Sequence, residues 1–294
     1  MEHIIEFCKQ SFLGYGNYLL DEITHPAWDN YFYALIVISL FVWVLELVFP
    51  WRKKQGVFRK DFWLDIFYMF FNFFIFNLIA FIALSSATEK LFLKGLSFFS
   101  IDLNSLQLIN LDAFPVAISL VLFFIITDFV QWTTHILLHK SAWLWNFHKV
   151  HHSVKEMGFA AHLRYHWMET LVYRTVLYIP LAIIGGFQIT DVIFVHLIAL
   201  TIGHLNHANI KLNYGPFKYI FNNPEMHIWH HAKDLAKGHS YGVNFGISLS
   251  IWDYLFKTSY IPKSGRDIEL GFENDDKFPT DFVRQELYPL KLKK

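Results

Sequence analysis

The sequence predicts an all-α integral membrane protein: a helical bundle of three spans plus a membrane hairpin, capped by a cytoplasmic histidine-rich helical region. Three observations carry that expectation. Of the 294 residues, 54% are hydrophobic and 19% aromatic, with positive mean hydropathy, which is oilier than an ordinary soluble domain. Several nearly uncharged stretches reach the roughly 20 residues a helix needs to cross about 30 Å of hydrocarbon. Sixteen histidines are present, and fourteen of them fall between His135 and His239.

The elements follow in order. Residues 31–49 form the first span, and WRKKQGVFRK behind them places five positive charges in ten residues, which marks the cytoplasmic side. Residues 62–84 return, 85–112 make a mixed outer segment, and 113–136 descend again to end at the first clustered histidines. Residues 170–187 and 190–205 read as a hairpin dipping in from the inner face. Beyond residue 208 the chain turns polar, with Pro216, Pro224 and Gly238, and is expected on the cytoplasmic surface. The divisions are thus N-terminal spans and outer segment at 1–112, a catalytic region at 113–260 and a cytoplasmic tail at 261–294. No cleavable leader is evident at the start. Formal net charge is zero, so no overall field points to nucleic acid. Cys8 is the single cysteine, which leaves a metal site only nitrogen and oxygen ligands.

Four histidine clusters stand out: His135 with His139; His148, His151 and His152 in HKVHHS; His204 and His207 in GHLNHAN; His227, His230 and His231 in HIWHHA. On a helix His139 lies about 40° round from His135, so both rings project from one face. In His-x-x-His-His the later rings flank the first by about 60° and 40°. Two such helices can surround metal with imidazole, which suits iron, copper, zinc and nickel. Nine or so ligands exceed the four of one tetrahedral zinc, so two metals are the natural count. A lone histidine is more often a polar core or interface group; His3, His25 and His196 are read so, and His239 stays open.

Asp128 lies two helical turns before His135, about 20° off the same face. A carboxylate inside a span needs a partner, and the expected one is a metal-binding histidine's second N–H. His162, His166 and Glu169 form a similar stripe if residues 160–175 are helical; His166 and Glu169 then either join the site or anchor the hairpin's mouth. Trp143, Trp145, Phe147 and Trp229 sit among the histidines, as channel walls or as interfacial anchors.

From Asp128 to Thr258 the chain resembles the fatty acid hydroxylase and sterol desaturase superfamily. The likeness is carried by DFVQWTTHILLHKSAWLWNFHKVHHS, LRYHWME, HANI, and HIWHHA followed by YGVNFG and IWDYLFKT. It implies a di-iron centre held by His135, His139, His148, His151, His152, His207, His227, His230 and His231, with His207 preferred over His204 through the His-x-Asn pattern. Lys140, where arginine is common, and the additional His162 and His204 depart from that pattern. The resemblance further implies that O2 and two electrons are spent on an alkyl C–H bond of a fatty acyl, sterol or related membrane lipid, giving an alcohol or an alkene. A separate electron-donor protein is expected, since no flavin, haem or iron–sulfur segment is evident. Rival readings are a metal transporter, which would string its ligands along a path near the bilayer midplane, and an inactive lipid-binding scaffold. The expected location is a bacterial inner membrane or the endoplasmic reticulum, with the site on the cytoplasmic side.

Overall fold

A computed structural model describes residues 2–27, 30–76, 93–102, 107–173, 176, 184–186 and 189–290. The chain is mostly helical. Helix α1 (Glu2–Thr24) precedes the first expected span and was not foreseen from hydropathy. Helix α2 (Tyr31–Val48) starts where the Asn30 side chain accepts from Tyr33 N, and it stops before Pro50, which cannot continue it. Its buried residues are Leu35, Ser39, Val42 and Glu46, one narrow stripe at helical spacing. Val37, Leu40, Phe41, Val44 and Val48 all face outward.

Helix α3 (Phe62–Phe70) runs into a π-helical turn, Phe71–Ile75. The wider turn turns Asn72 inward, where its amide donates to the carbonyls of Leu163 (3.2 Å) and Tyr165 (2.8 Å). The far half of the second expected span, 77–92, lies outside the described residues. The outer segment holds a short helix at 93–98 and two residues, Ile109–Asn110, paired in parallel with Ile184–Gly185, a small exception to an all-helical chain.

Helix α4 (Val116–Lys140) follows Pro115, is roughly 37 Å long, and meets α5 (Ala142–His152) at Ser141, whose hydroxyl accepts from Leu144 N. This sharp corner sets the histidines of both helices face to face. The segment 160–175 is not one helix. A 3-10 turn at Phe159–Leu163 is followed by extended Arg164, and helix resumes at 167–173. Arg164 has physical cause to break it: its guanidinium is buried against Asp61, Asp65 and Ser153 while its carbonyl accepts from His151. The loss of continuous helix removes the shared face expected for His162, His166 and Glu169. Much of the hairpin's first leg lies outside the described residues; the second is α6 (Ile189–His207).

After α6 come a 3-10 turn (Gly215–Tyr219), α7 (Pro224–His230), α8 (Ile251–Leu255) and α9 (Phe282–Leu287). Asn223 caps α7 by accepting from Met226 N. The expected tail is packed into the body: Phe272, Phe278 and Tyr288 join Tyr68, Val150 and Trp145 in one apolar cluster, and Tyr68 donates to Gln285 at 3.0 Å.

Helices α2 and α4 are long and apolar enough to cross a membrane, yet only 17% and 22% of their most apolar stretches are buried. A core helix of a soluble domain would be covered. These turn oil outward, as a helix solvated by lipid does.

Candidate metal centre

The nine histidines singled out by resemblance come together in two adjoining buried groups. His135, His139, His148, His152 and His230 form one, His151, His207, His227 and His231 the other, with ligand atoms inside each group within 4.8 Å of one another. Each His-x-x-His-His run serves both. His148 and His152, four apart on α5, enter the first group while His151 turns to the second; His227 and His231 enter the second while His230 turns to the first.

Neighbouring groups fix the rings. His135 donates from Nδ1 to the Phe245 carbonyl (2.8 Å), His151 to Arg164 (3.1 Å), His207 to Gly203 (2.8 Å) and His230 to Val243 (2.8 Å). His148 donates from Nδ1 to Glu169 Oε2 at 2.7 Å. With Nδ1 carrying the proton, Nε2 of each neutral ring is a bare lone pair. His135 Nε2 and His148 Nε2 then face each other at 3.2 Å, and His151 Nε2 and His207 Nε2 at 3.3 Å. Opposed lone pairs repel, and a cation between them turns repulsion into ligation. His139 Nε2, His152 Nε2 and His230 Nε2 are also buried without a hydrogen-bond partner. This donor set fits metal ions of the kind imidazole prefers.

Burial keeps the rings neutral. It drives the His151 pKa down to about 3, and those of His148, His152, His227, His230 and His231 well below 6.5, with neighbouring rings adding to the effect.

Of the three residues expected beside the ligands, Glu169 alone among them touches a grouped histidine. His166 instead donates from Nε2 to the Glu286 carbonyl (2.8 Å) and lies 3.3 Å from that carboxylate, tying the hairpin's mouth to α9. The Asp128 carboxylate accepts from Ser248 N (3.0 Å), Leu249 N (3.3 Å) and Trp252 Nε1 (2.9 Å). The helical face argument aimed it correctly inward, but its partner is the turn leading into α8 rather than a histidine. Asp253, missed in sequence although it stands in IWDYLFKT, grips the other end of that turn: it accepts from Phe245 N, Gly246 N, Trp132 Nε1 and Thr258 Oγ1. Between them the two aspartates fix the backbone whose Phe245 carbonyl holds His135. An aspartate inside an otherwise apolar helix was the available signal.

His162 and His204 stay outside both groups. Their Nδ1 atoms meet at 2.9 Å, and His204 Nε2 lies 3.0 Å from Ser39 Oγ. His196 packs on Tyr31, His239 on Tyr260, and exposed His25 pairs with Asp21; the side chain of His3 lies outside the described part. Trp145 packs on His139 and His152, Phe147 on His166 and Trp229 on Tyr260, whereas Trp143 faces outward.

A helical scaffold with outward apolar faces and two facing imidazole pockets defines a class: membrane-associated proteins with a histidine site fit for metal. Residues 120–258, which contain all nine histidines, match the fatty acid hydroxylase family. The match is confined to that segment, just under half of the chain. It is similar to an ornithine lipid hydroxylase of Rhizobium tropici, 32% identical over 182 residues, 62% of this chain and 53% of that protein. It is also similar to an alkylglycerol monooxygenase of Homo sapiens, 29% identical over 46% of this chain and 29% of that protein. A third relative is a very-long-chain aldehyde decarbonylase of Oryza sativa subsp. japonica, 28% identical over 48% of this chain and 46% of that protein. The matched part is thus about half the length of the first and third relatives and under a third of the second. No solved structure matches the chain.

Proposed function

We propose that this protein is an O2-dependent di-iron lipid oxidoreductase that hydroxylates a C–H bond of a fatty acyl, sterol or related membrane lipid, desaturation being the alternative outcome. The observation that supports the reading is the opposed Nε2 atoms in each of the two adjoining histidine groups, an arrangement that fits two cations side by side. Nine ligands gathered in one place do not describe a transport path.

His135, His139, His148, His152 and His230 would hold one iron, and His151, His207, His227 and His231 the other. Bound there, the iron pair would supply reduction of O2 and oxidation of an alkyl carbon. Hydroxylation balances as R–H + O2 + 2 electrons + 2 protons giving R–OH + H2O, with the electrons brought by a separate donor protein. The chain's own part is to keep nine imidazoles neutral and oriented. Glu169 holds the His148 ring, Asp253 and Asp128 hold the turn behind His135, and Trp145 and Phe245 pack against the rings to exclude water. The chain is read as a multi-pass protein with this site on the cytoplasmic side, following the charges at 52–60.

Protein purified anaerobically from iron-replete cells is expected to carry close to two irons per chain, and lipid profiles of a deletion strain to differ by 16 daltons for hydroxylation or 2 for desaturation. One zinc per chain with activity intact would overturn the di-iron reading.

A further inference from the structure

The polar region after residue 208, expected in water, carries an apolar surface of its own. Phe217, Tyr219 and Ile220, in and just after the 3-10 turn, are exposed, as are Leu255 and Phe256 where α8 ends. Direct contacts make these one patch: Ser250 N donates to the Ile220 carbonyl (2.9 Å), Ser250 Oγ donates to the Lys218 carbonyl (2.7 Å), and the rings of Tyr219 and Tyr254 lie 5.0 Å apart. Soluble proteins rarely leave so contiguous an apolar patch uncovered.

The patch continues the lipid-facing side of α4. Val121, Ile125 and Phe129, four apart, are exposed along that helix. The Phe129 ring then meets Trp252 at 4.8 Å and Phe256 at 6.2 Å, and Phe256 packs on Trp132 at 4.8 Å. Phe129 precedes His135 by six residues, about 9 Å along the helix axis. The exposed charges beside the patch have one sign. Lys211 and Lys257 are exposed, and half-buried Lys218 sets its Nζ 5.2 Å from the Tyr219 ring. Within 211–220 and 249–257 the one acid is Asp253, which is buried and accepts from Trp132, Thr258 and the amides of Phe245 and Gly246. The whole chain is formally neutral, so this excess of lysine is local.

Two bulky residues beside the patch are held at positive φ, Tyr214 at 58° and Lys257 at 59°. Glycine or asparagine ordinarily fills such positions, and residues kept there against that preference concentrate at functional surfaces.

We propose that residues 215–220 and 251–257 form an interfacial anchor seated in the headgroup layer of an anionic phospholipid bilayer. Rings and aliphatic side chains bury carbon at that level while the lysine ammonium groups meet phosphate. A protein partner would have to cover a surface that runs unbroken into a lipid-facing helix. Helix α8 then has two duties: Leu255 and Phe256 face the bilayer, and Asp253 holds the turn behind His135.

The test uses full-length protein with Cys8→Ser and a single added thiol, Tyr219→Cys or Leu255→Cys, in nanodiscs of phosphatidylcholine alone or mixed with phosphatidylglycerol. Reaction with a water-soluble maleimide is timed, and Leu235→Cys serves as the water reference, because Leu235 is exposed in a loop whose Lys233 pairs with Glu269 and Asp275. Positions 219 and 255 are expected to react about tenfold more slowly than 235, and more slowly still with phosphatidylglycerol present. Lys257→Asn removes the charge while supplying a residue suited to positive φ, so the melting temperature should hold or rise. The same change should raise the rate at 219 about fivefold in anionic discs at low salt and leave it unchanged in phosphatidylcholine. Rates at 219 and 255 equal to that at 235, or equal in the two lipids, would overturn the proposal. Cross-linking between copies through the Tyr219→Cys thiol in native membranes would also overturn it, by assigning the patch to a second copy of the chain.

Discussion

Glu169 shows how much a single contact decides. Its carboxylate holds the proton of His148 Nδ1, and only for that reason does His148 present a bare Nε2 to His135. Glu169→Gln keeps an acceptor but removes the charge; metal affinity, measured by chelator competition, is expected to fall about 10- to 100-fold with the fold retained. Unchanged affinity would remove the orienting role. His151→Ala and His230→Ala strip a ring from different groups, so each should lower bound iron from about two per chain toward one, read by elemental analysis. The histidines themselves were legible because spacing along a helix is a local property. The role of Glu169 was half legible: it was placed near the site through a continuous helix that Arg164 interrupts, and no local pattern announces an arginine bound for two aspartates a hundred residues earlier.

At the scale of elements, the turn between Val243 and Leu249 is the least visible part of the site and among the most constrained. It carries no histidine, yet its carbonyls orient His135 and His230 while Asp128 and Asp253 hold its amides. Asp128→Asn puts an amide group where three donors converge, so thermal melts should show a loss of about 1–3 kcal/mol, with a smaller effect on metal affinity than Glu169→Gln. A larger metal effect would return Asp128 to direct orientation of a ligand. Helices α5 and α7, with His231 at the end of the latter, supply six imidazoles whose folded pKa values lie below the unfolded value of 6.5. Their stabilising contribution is complete above pH 6.5 and is lost as pH falls toward about 3, the value for His151, because the unfolded chain takes up protons first. Metal-free protein in detergent should therefore melt at progressively lower temperature from pH 7 to pH 5. A flat profile would mean that the folded rings take up protons as readily as those of the unfolded chain.

Over the whole molecule, hydropathy located α2 and α4, since a long uncharged apolar stretch is a local property of the sequence. It did not foresee α1, nor that the polar segment after residue 260 packs into the body through Tyr68, Gln285, His166 and Glu286, because such packing joins residues far apart in sequence. Reporters fused after residue 60 and at the C-terminus are expected in the cytoplasm, and one within 90–110 outside; a C-terminus found outside would relocate the site. The interleaving of the two histidine runs also sets an order of biogenesis. One group is completed by His230 and the other by His207, His227 and His231, so a ribosome that has made α5 has made four of the first group's five imidazoles and one of the second group's four. Under the proposed two-metal reading, the two ligand sets are complete only once the chain reaches His230 and His231, so full loading would come late in maturation, and a stalled chain that already holds His135, His139, His148 and His152 would be open to whichever imidazole-binding cation is abundant nearby.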